Sequence, residues 1–99
     1  MAANWNGNAA AMRQDTSKWL ASVLGVNLGA WSANERSAFG NFAALLALAP
    51  EIESWPRESK RMLVEIIRAK AGPDETTYLR RLQQHEALSQ TMRSISKWG

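Results

Sequence analysis

Apolar side chains in this chain recur at intervals of three and four, no stretch longer than a few residues alternates with period two, and glycine or proline cuts the runs at a few places. A strand sends successive side chains to opposite faces, whereas a helix returns to one face about every 3.6 residues. The pattern therefore predicts an all-α fold. With 99 residues, 45% of them hydrophobic, the chain has enough apolar material for one modest core and too little length for a second domain. There are no internal repeats. We expect a small single-domain bundle of about four helices over residues 9–99, preceded by a loose segment over residues 1–8 that is rich in Asn and small residues.

The punctuation marks divide the helices. Asp15 is placed to cap a first helix ending at Leu24, with Trp19, Leu20, Val23 and Leu24 on one face and Gly25 to stop it; a single helix over residues 9–24 is the alternative. Residues 25–32 predict an extended connector whose Val26, Leu28 and Ala30 pack inward, and Gly25 and Gly29 belong to its turns, since no strand precedes them and no lysine follows to hold a phosphate. Ser32 followed by Glu35 forms a capping box, opening a helix over residues 33–49 that buries Ala38, Phe39, Phe42, Leu45, Leu46 and Ala49, its face widened by Leu48. Pro50 makes a corner. Ser54 is placed to cap a helix over residues 55–71, with Leu63, Ile66 and Ile67 opposite Arg57, Glu58, Arg61, Glu65 and Arg68, and Gly72 and Pro73 stop it. Asp74 caps a last helix, to about Ser96, with a stripe of Tyr78, Leu82, Leu88, Met92 and Ile95 in which His85 falls.

Counting narrows the chemistry. One His and no Cys leave few ways to build a nucleophile and its base, and no thiolate metal site or disulfide scaffold is open to the chain. The pair His85 and Glu86 lacks the second His that a helical zinc site needs, since Ser89 stands there. We therefore expect no enzyme, no metal and no cofactor. His85 is expected to be a half-buried helical residue whose polar edge reaches solvent or a carbonyl, with a pH-sensitive contact as the other use. The acidic pairs Glu51 and Glu53, and Asp74 and Glu75, are placed to favour helix N-termini rather than to act as acid and base.

Charge is concentrated in the second half. Twelve Lys and Arg against nine Asp and Glu give a net charge of +3, and residues 50–99 hold nine of the basic and seven of the acidic groups. Arg57, Arg61 and Arg68 share a face with Glu58 and Glu65, which predicts the pairs Glu58–Arg61, Arg61–Glu65 and Glu65–Arg68 and a largely self-neutralised surface. Arg80, Arg81, Arg93 and Lys97 are opposed on the last helix only by Glu86, although Arg80 and Arg81 diverge by about 100° around the axis and are not expected to face one partner together. The longest clean apolar run, residues 42–49, falls short of the roughly 18 residues of a membrane span. Residues 19–30 only faintly imitate a signal peptide, because Asn27 interrupts them and Asp15 precedes them. A cytoplasmic protein without a membrane span is expected.

Five of the eight aromatic residues are Trp. Trp19, Trp31 and Trp55 lie on a helix face or beside helix starts and are expected in the core, whereas Trp5 and Trp98 lie near the termini and either dock on the bundle or await a partner. Surplus Trp and Arg, the residue types that dominate interface energies, together with the missing catalytic groups, point to a non-enzymatic protein-interaction module. An inhibitor, an antitoxin or immunity-like protein, or an effector chaperone suits the size, bound to another protein or to a second copy. The expected contact residues are Trp5, Trp98, Arg80, Arg81, Arg93, Arg57 and Arg61. The alternative is a nucleic-acid-binding regulator using the Arg-rich last helix.

Overall fold

The computed structural model describes residues 9–98, and the side chains of residues 15–96. Among the described residues the fold is all-α, without strands, and holds five α-helices: α1 (Ala9–Leu24), α2 (Ala33–Leu46), α3 (Arg57–Ala71), α4 (Glu75–Gln84) and α5 (Glu86–Trp98), with 3-10 turns at Leu28–Ala30 and Pro50–Ser54. The count is one above the expected four, because the last predicted helix is two. No helix among the described residues is long and apolar enough to cross a membrane.

α1 is the single long helix, not a short one capped by Asp15. It ends at Gly25, whose φ of 69° lets the Val26 N–H turn back to the Ala21 carbonyl at 2.9 Å. The connector is a 3-10 turn rather than extended: Asn27 caps it by accepting from the Gly29 N–H, and Val26 and Leu28 pack against the core as expected, whereas Ala30 is exposed because the turn directs it outward. Ser32 and Glu35 close both bonds of the capping box. That accepted bond from the Ser32 backbone holds the Glu35 carboxyl below the ordinary carboxylate range.

Two expectations fail at the corner after α2. The helix stops at Leu46, and Leu48 and Ala49 donate to Leu45 and Leu46 three residues back. That tighter winding advances each residue further around the axis, so Ala49 is buried and Leu48 is turned out to 69% exposure. Ser54 does not cap α3 either; it closes the Pro50–Ser54 turn, and Pro56 stands at the N-cap without a side-chain bond. Glu53 holds Trp19 rather than a helix end, with Trp19 Nε1 donating to its Oε2 at 2.7 Å.

The core joins Leu20 of α1, Phe39, Phe42, Ala43 and Leu46 of α2, Ile52 of the Pro50–Ser54 turn, Leu63, Ile66 and Ile67 of α3, and Leu88 of α5. Trp31 is buried edge-on against Phe39, with ring centroids 5.2 Å apart, whereas Trp19 and Trp55 are only half-buried at its margin. Tyr78, Leu82, Met92 and Ile95 pack on the same core, and burial raises the Tyr78 hydroxyl above its ordinary pKa.

His85 breaks the last helix. It is extended, buried to 2% exposure, and its Nδ1 accepts from the Leu88 N–H at 3.0 Å, as an N-cap does for a helix starting at Glu86. With Nδ1 accepting, the ring proton sits on Nε2, which donates to the Ser59 carbonyl of α3 at 2.8 Å. The half-buried helical position expected for it gives way because both ring nitrogens find backbone partners that a helical His would not reach.

Candidate interaction surface

Burial of Leu63, Ile66 and Ile67 fixes which side of α3 looks outward. One turn apart on that side stand Arg57, Arg61 and Glu65, flanked by Lys60 and Val64 on one hand and Glu58 and Met62 on the other. Arg61 and Glu65 form a ridge between two clefts, and both line each of them. The first cleft, about 390 Å³, lies toward α4 and is walled by Arg80, Arg81 and Gln84 over Met62 and Ile66. The second, about 580 Å³, lies toward the end of α1, where Val23, Leu24 and Val26 face Arg57, Lys60 and Val64.

The ridge is tied by ion pairs. Arg61 donates from Nε to Glu58 at 3.0 Å and from Nη1 to Glu65 at 2.6 Å, and Arg81 Nη1 reaches the other oxygen of Glu65 at 3.0 Å. The bond from Arg61 holds the Glu58 carboxyl below its ordinary range, and the two carboxylates, Glu58 first, push the Arg61 guanidinium further up. Arg61 and Glu58 are well exposed and Arg81 and Glu65 partly so, so water screens the pairs and they position side chains more than they stabilise the fold. The expected Glu65–Arg68 pair is not made, because Glu65 is occupied from both sides. Arg68 lies instead over the Trp31 ring, 4.5 Å from its centroid, and 3.8 Å from Glu35.

The structure brings together four of the residues singled out from sequence: Arg57, Arg61, Arg80 and Arg81. Arg80 and Arg81 both line this cleft despite their divergence on α4. Arg57 and Arg80 form no ion pair among the described residues; Arg80 adds only a small pull on the Asp74 carboxyl, which is held low chiefly by Thr77. Arg93 does not join them: its Nε donates to the Ser89 carbonyl of its own helix at 3.4 Å. Trp5 and the side chain of Trp98 lie outside the described residues.

Lys60 and the apolar wall were missed from sequence. Lys60 stands three residues after Arg57, a spacing that would have placed it on the same stripe. Val23 and Leu24 carried no such signal, since an apolar helix face looks the same whether it is fully or half covered. No three His, Asp or Glu residues gather as metal ligands among the described residues. Comparison with protein-family models, with curated proteins and with solved structures found no match for the chain.

Proposed function

We propose that the chain is a non-enzymatic protein-interaction module, an inhibitor, antitoxin-like, immunity-like or effector-chaperone-like protein of the cytoplasm that binds a partner through the outer face of α3 and α4. One observation carries it: Arg57, Lys60, Arg61, Arg80 and Arg81 converge on one face around only two carboxylates, Glu58 and Glu65, and that face is cut by two clefts with apolar residues in them. Arginine beside apolar pockets is the composition of energetically dominant interface patches. The same cations favour a second function, nucleic-acid binding, because phosphate neutralisation needs basic groups clustered on one face.

Affinity capture from native cell extract, with the full chain as bait, tests the first function. The doubly reversed Arg57→Glu, Arg80→Glu variant is expected to lose the protein partner that the wild type recovers, while duplex and single-stranded DNA show no salt-dependent binding. Tight DNA binding with a steep salt slope would replace the first function by the second, and partner recovery indifferent to both reversals would remove this face from it.

A further inference from the structure

The cleft between α1 and α3 exists because both helices pack on α2 and meet each other only narrowly. Its α1 wall carries no charge: Val23, Leu24 and Val26 are half-buried, and Val26 is brought alongside by the reversal at Gly25. On the α3 wall, half-buried Val64 stands one turn beyond Lys60, with Arg57 a turn before that. The two walls are tied at one end. Trp19, one turn before Val23 on α1, donates to the Glu53 carboxylate at 2.7 Å, and Lys60 Nζ donates to the Glu53 carbonyl at 3.0 Å. A cleft held in this way is formed before anything enters it, which lowers the ordering cost of binding.

We propose that this cleft takes an acidic amphipathic helix of a partner protein, its apolar edge against Val23, Leu24, Val26 and Val64 and its carboxylates on the guanidinium of Arg57 and the ammonium of Lys60; the inference rests on the interaction function proposed above. Charge complementarity sets the sign, since a basic helix would meet Arg57 and Lys60 head-on. The backbone sets the conformation. No sheet edge among the described residues offers main-chain partners, so an extended peptide would leave its own N–H and C=O groups unpaired against valines, whereas a helix satisfies them internally. A nucleic acid fits this cleft poorly: its lining has no aromatic ring for base stacking, and the valines gain nothing from a sugar-phosphate backbone. A second copy fits poorly too, because each of the five described α-helices carries at least as many basic as acidic residues, and the one acidic segment without a cation, Pro50–Ser54, is a 3-10 turn too short to fill the cleft.

Selection of random peptides of about 16 residues, roughly 24 Å as a helix, on the immobilised full chain tests this directly. The expected binders carry a net negative charge and large apolar residues at steps of three and four. A synthetic copy of one is expected to shift backbone amides of residues 22–26 and 57–65 and to bind at least about ten-fold more weakly to Val64→Asp and to Arg57→Glu, while Arg80→Glu in the other cleft stays within about two-fold. Arg57 is exposed and its reversal is expected to leave the fold intact, so a thermal melt matching the wild type keeps that variant informative if Val64→Asp is unstable. Neutral or basic binders, no binders at all, or binding indifferent to both Val64→Asp and Arg57→Glu overturn the proposal. Binders that map to the α3–α4 cleft and are lost with Arg80→Glu also overturn it but leave the interaction function standing; loss of that function is read separately, from partner recovery.

Discussion

Two ring nitrogens decide where the C-terminal part of this chain bends. His85 interrupts a stripe that continues in register from Leu82 to Leu88, and it does so by giving Nδ1 to the Leu88 N–H and the Nε2 proton to Ser59 while its ring tilts against Trp55 at 5.1 Å. Replacing it by Ala removes a cap and leaves a buried backbone N–H without a partner, which costs about 2–3 kcal/mol. His85→Asn keeps a side-chain acceptor at the cap and is expected to recover about 1 kcal/mol of that loss. Urea unfolding of the two variants checks this, and equal losses would show that the cap bond is not what holds the break. Phe39→Ala, which empties the centre of the core beside Trp31, is expected to cost about 3–5 kcal/mol and to alter Trp fluorescence. The expected apolar role of Trp31 is met, while Trp19 and Trp55 use their partly exposed rings to reach Glu53 and His85. Ring size was legible in sequence, and the partner of the ring edge was not.

Among the helices, two serines placed by the sequence as helix caps, one of them in a capping box, behave differently. Ser32 accepts from the Glu35 N–H at 3.2 Å, and Ser54 caps nothing because the Pro50–Ser54 turn places Trp55 and Pro56 between it and α3. Ser32→Ala is expected to cost about 1 kcal/mol and Ser54→Ala to stay within about 0.5 kcal/mol, read from denaturant midpoints. A larger loss at Ser54 than at Ser32 would contradict the assigned helix start. The bonds accepted by the capping carboxylates also make α2 and α4 acid-sensitive. Glu35 and Asp74 both have carboxyls held below their ordinary values, by Ser32 and Thr77 respectively, so they favour the folded state above the unfolded carboxylate pKa of about 4 and lose that contribution as pH falls through the lowered folded-state values. Stability measured from neutral pH downward is expected to fall in that acid window, and to fall less steeply in Glu35→Gln. A Glu35→Gln variant with an unchanged acid slope would mean that the capping box does not titrate with folding.

For the whole molecule, stability and recognition draw on different parts. The core is apolar and the ion pairs of the α3 ridge are exposed, so added salt is expected to change the unfolding midpoint little while weakening any contact made through Arg57, Lys60 and Arg80. Parallel salt series of unfolding and of partner binding check this; an unfolding midpoint that tracks salt as steeply as binding does would make the ridge structural.

The sequence by itself determined the helical class, the stops at Gly25 and Gly72, the caps at Ser32 and Asp74 and most of the buried side chains, because period, caps and breakers act within a turn or two of chain and need no distant partner. Only the tertiary structure decided that His85 ends a helix, that Arg68 turns to Trp31 instead of Glu65, and that Arg80 and Arg81 face one cleft with Arg61. Each of these depends on a group from another helix: the Ser59 carbonyl for His85, the Trp31 ring for Arg68, and the packing of α4 on α3 for the two arginines. Such partners lie far apart in sequence, and helix packing sets which of them meet.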